Sequence, residues 1–331
     1  MAEIAEAPLL RTDGDSAGRN KFWAIVLAGG EGIRLRPLIR RLFGEDRPKQ
    51  YASLVGSRSL LRATLDRVAL KVPLDKTVVV TSRWHAQYAA AEFTADPTPK
   101  LLIQPRDLGT AAGVLFPAYW VRHQDPEAVI AVFPSDHFML DESAFMNHVE
   151  QMAVFAGRHP DRLLLAGARP TGPEAGFGWI EPADALGEAA CGTIRGVRRF
   201  WEKPPRETAR SCFEKGCLWS TFVMVGSVSA FAEAGRRFLP RLDEQLRRVV
   251  PFLDTEEERR MLNLVYASAS KADFSQAILA ARPPFLAVSQ LPEVGWSDWG
   301  TPGRVLESLN RAGISPPWLQ RHSIPALLAS L

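Results

Sequence analysis

Apolar residues in the first half of this chain fall in short runs that stop abruptly, at 22–28 (FWAIVLA), 77–81 (TVVVT), 101–103 (LLI) and 128–133 (AVIAVF). Runs this short, bounded by turn residues and rich in Val and Ile, predict buried strands. Between them apolar positions recur at helical spacing: over 59–70 with Ser59 as N-cap, over 82–93, and over 109–123 with a kink at Pro117. Strands alternating with helices predict an α/β fold, a mostly parallel sheet flanked by helices with right-handed crossovers. Beyond Arg162 the pattern shifts to turn-bounded strands at 163–168, 176–181 and 192–201. Amphipathic helices over 227–270, a last strand at 284–291 and a helix at 303–312 complete it. Residues 1–20 are polar and are expected to form a mobile tail, 21–312 one domain of two halves dividing near 160, and 313–331 a C-terminal tail.

Composition narrows the partners. Of 331 residues, 46% are hydrophobic and 23% charged, ordinary values for a globular domain. A formal net charge of +3 gives no basis for nucleic acid or a membrane surface as the main partner. No apolar run approaches the ~18 residues of a membrane span. The opening MAEIAEAP lacks the apolar stretch of a secretory signal. Cys191, Cys212 and Cys217 are odd in number with no C-x-x-C, which predicts reduced thiols and a cytoplasmic location.

Candidate chemistry concentrates where the apolar runs end. The first stops at Gly29-Gly30, with Gly32 close behind, so main-chain N–H groups can approach a ligand with no Cβ in the way. Arg34, Arg36, Arg40, Arg41, Arg47 and Lys49 follow, on both sides of a chain reversal near Gly44. Amide dipoles and converging cations suit a polyphosphate. The turn is not a Walker loop, lacking Gly-Lys-Ser/Thr, and its glycines miss the G-x-G-x-x-G spacing of a dinucleotide fingerprint. In a parallel sheet ligands collect beyond the carboxyl ends of the strands. Gly29-Gly30, Gln104-Pro105 and Pro134-Ser135-Asp136-His137 all follow such ends. A carboxylate leaving a buried strand beside a phosphate cradle, as Asp136 does, suits a hard cation such as Mg²⁺. The Gln104 amide offers both a donor and an acceptor to a nucleobase edge. Glu202 and Lys203 suit the hydroxyls and the phosphate of a sugar phosphate.

L-A-G-G-E-G-I-R-L-R-P-L followed by R-P-K-Q resembles the signature of the sugar-1-phosphate nucleotidyltransferases, most closely the mannose-1-phosphate guanylyltransferase type. The resemblance runs from about 22 to 310 and implies a Rossmann-like sheet of the nucleotide-diphospho-sugar transferase type. Its nucleotide half is about 21–160 and its β-rich sugar half about 161–312. It implies that Leu27, Ala28, Gly29, Gly30 and Gly32 hold the nucleotide, with Arg34 and Lys49 as catalytic cations. P-S-D-H is the family's second signature and makes Asp136 a metal ligand. Q-P-R-D-L-G-T-A-A-G resembles the base-recognition segment, with Gln104, Gly109 (a bare backbone for the base to lie against) and Thr110. P-E-A-G-F-G-W-I places Gly178 at the sugar, F-W-E-K-P-P gives Glu202 and Lys203 their family roles, and C-L-W-S-T-F-V-M-V aligns Ser220 with a sugar-contacting amide. G-W-S-D-W-G supplies Asp298 as the second metal carboxylate.

The implied reaction moves a nucleoside monophosphate from a nucleoside triphosphate, with GTP favoured, to a sugar-1-phosphate, with Mg²⁺ as cofactor. The chain departs from the pattern at five places. Ile33 stands for a small hydroxyl residue, Gln104 and Gly109 for the Glu and Asn more usual in the mannose type, Ser220-Thr221-Phe222 for Asn-Ser-Gly, and Asp273-Phe-Ser-Gln276 lacks the Asp of the family's S-I-D-Y. Gln and Gly at this spacing are also similar to uridylyl- and thymidylyltransferases. The altered sugar segment admits a silent regulatory homologue that binds nucleotide sugars. The sequence gives no oligomeric state; a homodimer is open.

Overall fold

A computed structural model describes residues 21–93 and 96–320. The expected N-terminal tail, 1–20, and residues 321–331 lie outside the described residues. The four apolar runs of the first half are strands β1 (Phe22–Leu27), β2 (Thr77–Ser82), β3 (Lys100–Gln104) and β4 (Val129–Pro134). They pair in parallel, β1 with both β2 and β4, and β2 with β3. Alternate residues of β1 reach opposite faces, as strand geometry requires. Trp23 and Ile25 join one core cluster and Phe22, Ala24 and Val26 the other. Full burial of a side chain such as Ile25 contributes about 1.5–3 kcal/mol.

The helix Gly109–Gln124 continues through Pro117, which is buried in it, so the expected kink does not divide the element. Over 82–93 a short 3-10 turn at Arg83–His85 precedes the helix Ala86–Ala91. A long helix at Glu142–Arg158, capped by Asp141, had no counterpart in the expected pattern.

The second half continues the same sheet. It adds β5 (Leu163–Ala168), β6 (Gly178–Ala189), β7 (Gly192–Trp201), β8 (Leu218–Ser227) and β9 (Leu286–Gln290). The order is β3-β2-β1-β4-β8-β5-β9-β7-β6, with a further β8–β6 pairing. The parallel core is interrupted by β8, which runs antiparallel to β4 and β5, whereas β9 is parallel to β5. Consequently β1, β2, β3, β4, β5 and β9 all point their carboxyl ends at one rim, where ligands of open α/β sheets collect. The segments after β5 and β9 therefore arrive where the glycine turn and Asp136 already stand. Beyond the helix Pro302–Arg311, the described part of the expected C-terminal tail packs by Ile314, Trp318 and Leu319 on a third cluster, and Trp318 Nε1 donates to the Leu54 carbonyl.

No helix of the described residues is long and apolar enough to cross a membrane.

Candidate active site

The turn after β1 is held from behind. Gln50, buried, donates through Nε2 to the Ala28 carbonyl at 2.8 Å and to the Gly30 carbonyl at 2.9 Å, and Tyr51 OH donates to Ala28 at 3.0 Å. A trans peptide sets its N–H opposite its C=O, so the Gly29 and Glu31 N–H groups point away from Gln50. Gly32 is left-handed at φ 59°, and a Cβ there would fall 2.8 Å from the Lys49 Cβ. The glycine is needed because the loop lies directly on the lysine. Gly29 and Gly30 carry no such crowding. Leu27 ends β1, and its carbonyl accepts from the Ser135 hydroxyl at 2.6 Å.

Lys49 is 3% exposed and stands between the two carboxylate segments. Its Nζ lies 3.1 Å from Asp136 Oδ2 and donates to the Asp298 carbonyl at 2.5 Å. An isolated bridge between Phe138 and Ser297, with bonds of 2.9 and 3.0 Å in the two directions, sews those segments together. The Phe138 ring stacks on buried Trp299 at 4.8 Å. Burial is the largest influence on Asp136 and opposes its ionisation, but the Lys49 ammonium, the neighbouring His137 and hydrogen bonds from Lys49 and the main chain together outweigh it and hold the carboxyl below its usual range. Burial pushes His137 down to about 4, and its Nδ1 accepts from Trp296 Nε1 at 3.2 Å. His137 is therefore neutral near pH 7, as its acceptance of the Trp296 bond requires.

Asp298 carries a partner that sequence reasoning missed. Arg304 Nη1 lies 3.0 and 2.9 Å from its two oxygens, and Nη2 lies 3.0 Å from Glu174. Arg34 comes to the same place. A Cβ on Gly300 would fall 2.5 Å from Asp298 Oδ2, 3.0 Å from Arg34 Nη2 and 3.1 Å from Arg304 Nη1. Arg34, Lys49, Asp136 and Asp298 are thus brought together. The donor set fits a divalent cation that enters with phosphates: Mg²⁺ takes one or two carboxylates and completes its octahedron with phosphates and water. Among the described residues no three His, Cys, Asp or Glu side chains gather as ligands, so phosphate and water would supply most of its coordination.

On the base side the three candidate residues are engaged within the fold. Gln104 is buried and its Oε1 accepts from Tyr266 OH at 3.1 Å, so that end of the amide is committed. One side of Gly109 is closed. Its φ is 81°, and a Cβ would fall 2.3 Å from the Ala272 carbonyl, so that side is filled by the 271–272 chain. Thr110 is likewise engaged: its hydroxyl donates to Asp273 at 3.0 Å and accepts from Phe274 N–H at 2.8 Å.

The sugar-side candidates form a second group. A Cβ at Gly178 would fall 3.1 Å from Ser220 Cβ and 3.3 Å from Glu202 Oε2, and β6 pairs Gly178 with Ser220. Lys203 Nζ lies 3.1 Å from Glu202, but its side chain is 61% exposed. Among the described residues no ion pair links Lys203 to the Lys49 group. Phe222 is left-handed at φ 58° in a bulge of β8, where Thr221, Phe222 and Val223 face the single Ala166 of β5.

The model of the Nucleotidyl transferase family matches residues 23–312. The chain belongs to that family. Among curated relatives, the xanthan biosynthesis protein XanB of Xanthomonas campestris pv. campestris (strain B100) is 28% identical over 294 residues, covering 87% of this chain and 60% of the relative. The mannose-1-phosphate guanylyltransferase of Escherichia coli is 25% identical over 282 residues, covering 83% and 59%. The chain thus spans about 60% of the length of the curated relatives it matches. Among solved structures, the mannose-1-phosphate geranyltransferase of Thermus thermophilus superposes with a TM-score of 0.74 at 29% identity, over 90% of this chain and 80% of that one. The α/β architecture with a mostly parallel sheet is the one this family shares.

Proposed function

We propose that this nucleotidyl transferase moves a nucleoside monophosphate from a nucleoside triphosphate to a sugar-1-phosphate, with GTP and mannose-1-phosphate as substrates and GDP-mannose and pyrophosphate as products. What carries the reading is the convergence of Arg34, Lys49, Asp136 and Asp298 on the rim beside the glycine turn. The guanylyl and mannose assignments draw on relatives named mannose-1-phosphate guanylyltransferase.

A phosphate oxygen of the sugar-1-phosphate attacks the α-phosphorus in line, and pyrophosphate leaves. The nucleophile is already an anion near neutral pH, so no general base is required. The obstacle is the approach of two anions, which fixed cations and positioning overcome. Gly29 and Glu31 N–H groups and Arg34 receive the triphosphate, and buried Lys49 stabilises the charge that builds on the leaving pyrophosphate. Glu202 and Lys203 take the sugar hydroxyls and phosphate, next to Gly178 and Ser220. Asp136, with Asp298 beside it, would hold Mg²⁺, which would supply Lewis-acid stabilisation of phosphate charge when bound. Free thiols at Cys191, Cys212 and Cys217 accord with a cytoplasmic enzyme.

Pyrophosphate release measured across GTP, ATP, CTP, UTP and dTTP, each with mannose- and glucose-1-phosphate, tests the proposal. Turnover is expected with GTP and mannose-1-phosphate. Turnover only with UTP or dTTP refutes the guanylyl assignment. Tight nucleotide-sugar binding with no turnover on any pair replaces the enzyme by a regulatory homologue.

A further inference from the structure

Arg304 sits where a helix ordinarily disfavours a cation. It lies in the first turn of the helix Pro302–Arg311, which Thr301 caps and which has no acid of its own in that turn. The positive end of the helix dipole opposes it there. Carboxylates from elsewhere reverse the balance. Both Asp298 oxygens lie within 3.0 Å of Nη1, Glu174 Oε2 lies 3.0 Å from Nη2, and the Phe177 ring lies 3.9 Å from Cζ. Gly176 makes the room: a Cβ there would fall 2.7 Å from Nη2. The Gly300 N–H adds a further bond to Asp298 at 2.9 Å. Asp136 is not closed in this way. Lys49 reaches one of its oxygens at 3.1 Å, and His137 Nε2 stays 3.8 Å from the other.

We infer that Arg304 takes Asp298 out of metal coordination, so that a divalent cation at this rim would be held by a single protein carboxylate, Asp136. Asp298 is then the anchor that fixes the Arg304 guanidinium group beside Gly300. This rests on the metal reading above and narrows it. A half-buried pair bonded at both ends is costly to open, because each charge would be left without its partner in a poorly solvated place. The competing outcome also has a physical route. A cavity of about 250 Å³ lined by Glu174, Phe177, Trp219, Trp296 and Arg311 adjoins Arg304 and could receive its side chain if a metal drew Asp298 away.

Mn²⁺ titrated onto the full chain without nucleotide, with free Mn²⁺ read by electron paramagnetic resonance, separates the two. Asp136→Asn is expected to weaken Mn²⁺ binding by about tenfold or more, and Asp298→Asn to change it by less than about twofold. Arg304→Gln is expected to strengthen binding by about fivefold by opening Asp298, and the added Asp298→Asn to cancel that gain. Arg304→Lys, which keeps the charge, should stay near the parent and guards against a folding artefact. If Asp298→Asn alone weakens Mn²⁺ binding as much as Asp136→Asn, the inference is overturned while the metal reading stands. If Asp136→Asn leaves Mn²⁺ binding unchanged, the metal reading falls and this inference with it.

Discussion

The rim around Lys49 and the group around Gly178 differ in how far each is built before any substrate arrives. At the rim the charged side chains are bonded to other parts of the fold: Lys49 to Asp136 and the Asp298 main chain, Asp298 to Arg304, Arg304 to Glu174. On the sugar side Glu202 and Lys203 are bonded to each other, and Lys203 is mostly exposed. A site that must overcome repulsion between two anions gains from cations held rigid in advance. A pocket that must grip a flexible sugar phosphate can be completed by the substrate itself. Rim substitutions should therefore damage turnover and stability together, and sugar-side substitutions should act mainly on KM.

The largest effect is expected at Asp136. Asp136→Asn should lower kcat by about 10²–10³, the usual consequence of losing one preorganised electrostatic contact. It also leaves buried Lys49 short of a counter-charge, so urea unfolding should show a loss of about 1–3 kcal/mol. Unchanged kcat would break the comparison at its strongest point. Next is Gly109→Ala, where a Cβ would meet the Ala272 carbonyl at 2.3 Å in a left-handed backbone. The expected cost is about 2–4 kcal/mol, read as a drop in Tm. A neutral outcome would mean the 271–272 segment moves freely and leaves Gly109 open to a base after all.

Close packing at the rim carries a pH dependence. Burial holds both His137 and His148 down at about 4, with His148 bonded to Ser289 at 2.9 Å inside the core. Unfolded histidine titrates near 6.5. Above that pH neither state binds the proton. As pH falls from about 6.5 to about 4 the unfolded chain takes up protons that the folded chain refuses, so stability declines through that window. The expected loss is about 2–3 kcal/mol for each histidine, followed by thermal denaturation between pH 7 and pH 4.5. His148→Gln should flatten roughly half of the slope and leave the share of His137. Stability independent of pH in this range would show that the buried rings are reached by water.

How much of this was legible in the sequence follows from the range of each interaction. Strand runs such as 77–81 and the cap at Ser59 are local patterns and appear where expected. The motifs at strand ends also come to one rim, because parallel pairing sends all carboxyl ends the same way. The single sheet was not legible. It depends on β8 entering antiparallel between β4 and β5, a pairing between segments far apart in the chain. Gln50 stood in the R-P-K-Q motif, yet its service to the Ala28 and Gly30 carbonyls needs the loop's path. Arg304 reads in sequence as one more charge on an amphipathic helix. Only its place in the first turn, without a local acid, could have flagged it.

Lys203 and Phe222 test the open side, where smaller effects are expected. Lys203→Ala should raise KM for the sugar phosphate about tenfold, the worth of one charge-assisted contact. Its stability change should stay within about 0.5 kcal/mol because the side chain is exposed. A fall in kcat matching that of Asp136→Asn would place Lys203 with the rim instead.

Phe222 is the subtler case. Its left-handed backbone is a conformation glycine adopts freely and phenylalanine adopts at a cost of about 1–2 kcal/mol. The bulge keeps it there, since the Thr221 hydroxyl donates to the Ala166 carbonyl at 2.7 Å and accepts from Val223 N–H at 3.2 Å, locking the backbone on both sides of the ring. The ring offsets part of the strain by packing against the main core cluster. In Phe222→Gly the two contributions oppose each other, and the net change in unfolding free energy should be under about 1 kcal/mol in either direction. Function should move further than stability. The ring follows Ser220 by two residues, so removing it enlarges the sugar side and should relax the preference among hexose-1-phosphates while leaving the kcat of the preferred one within about threefold. Unchanged sugar preference would mean that the ring only fills core space and that the open side is shaped by Glu202 and Ser220 alone.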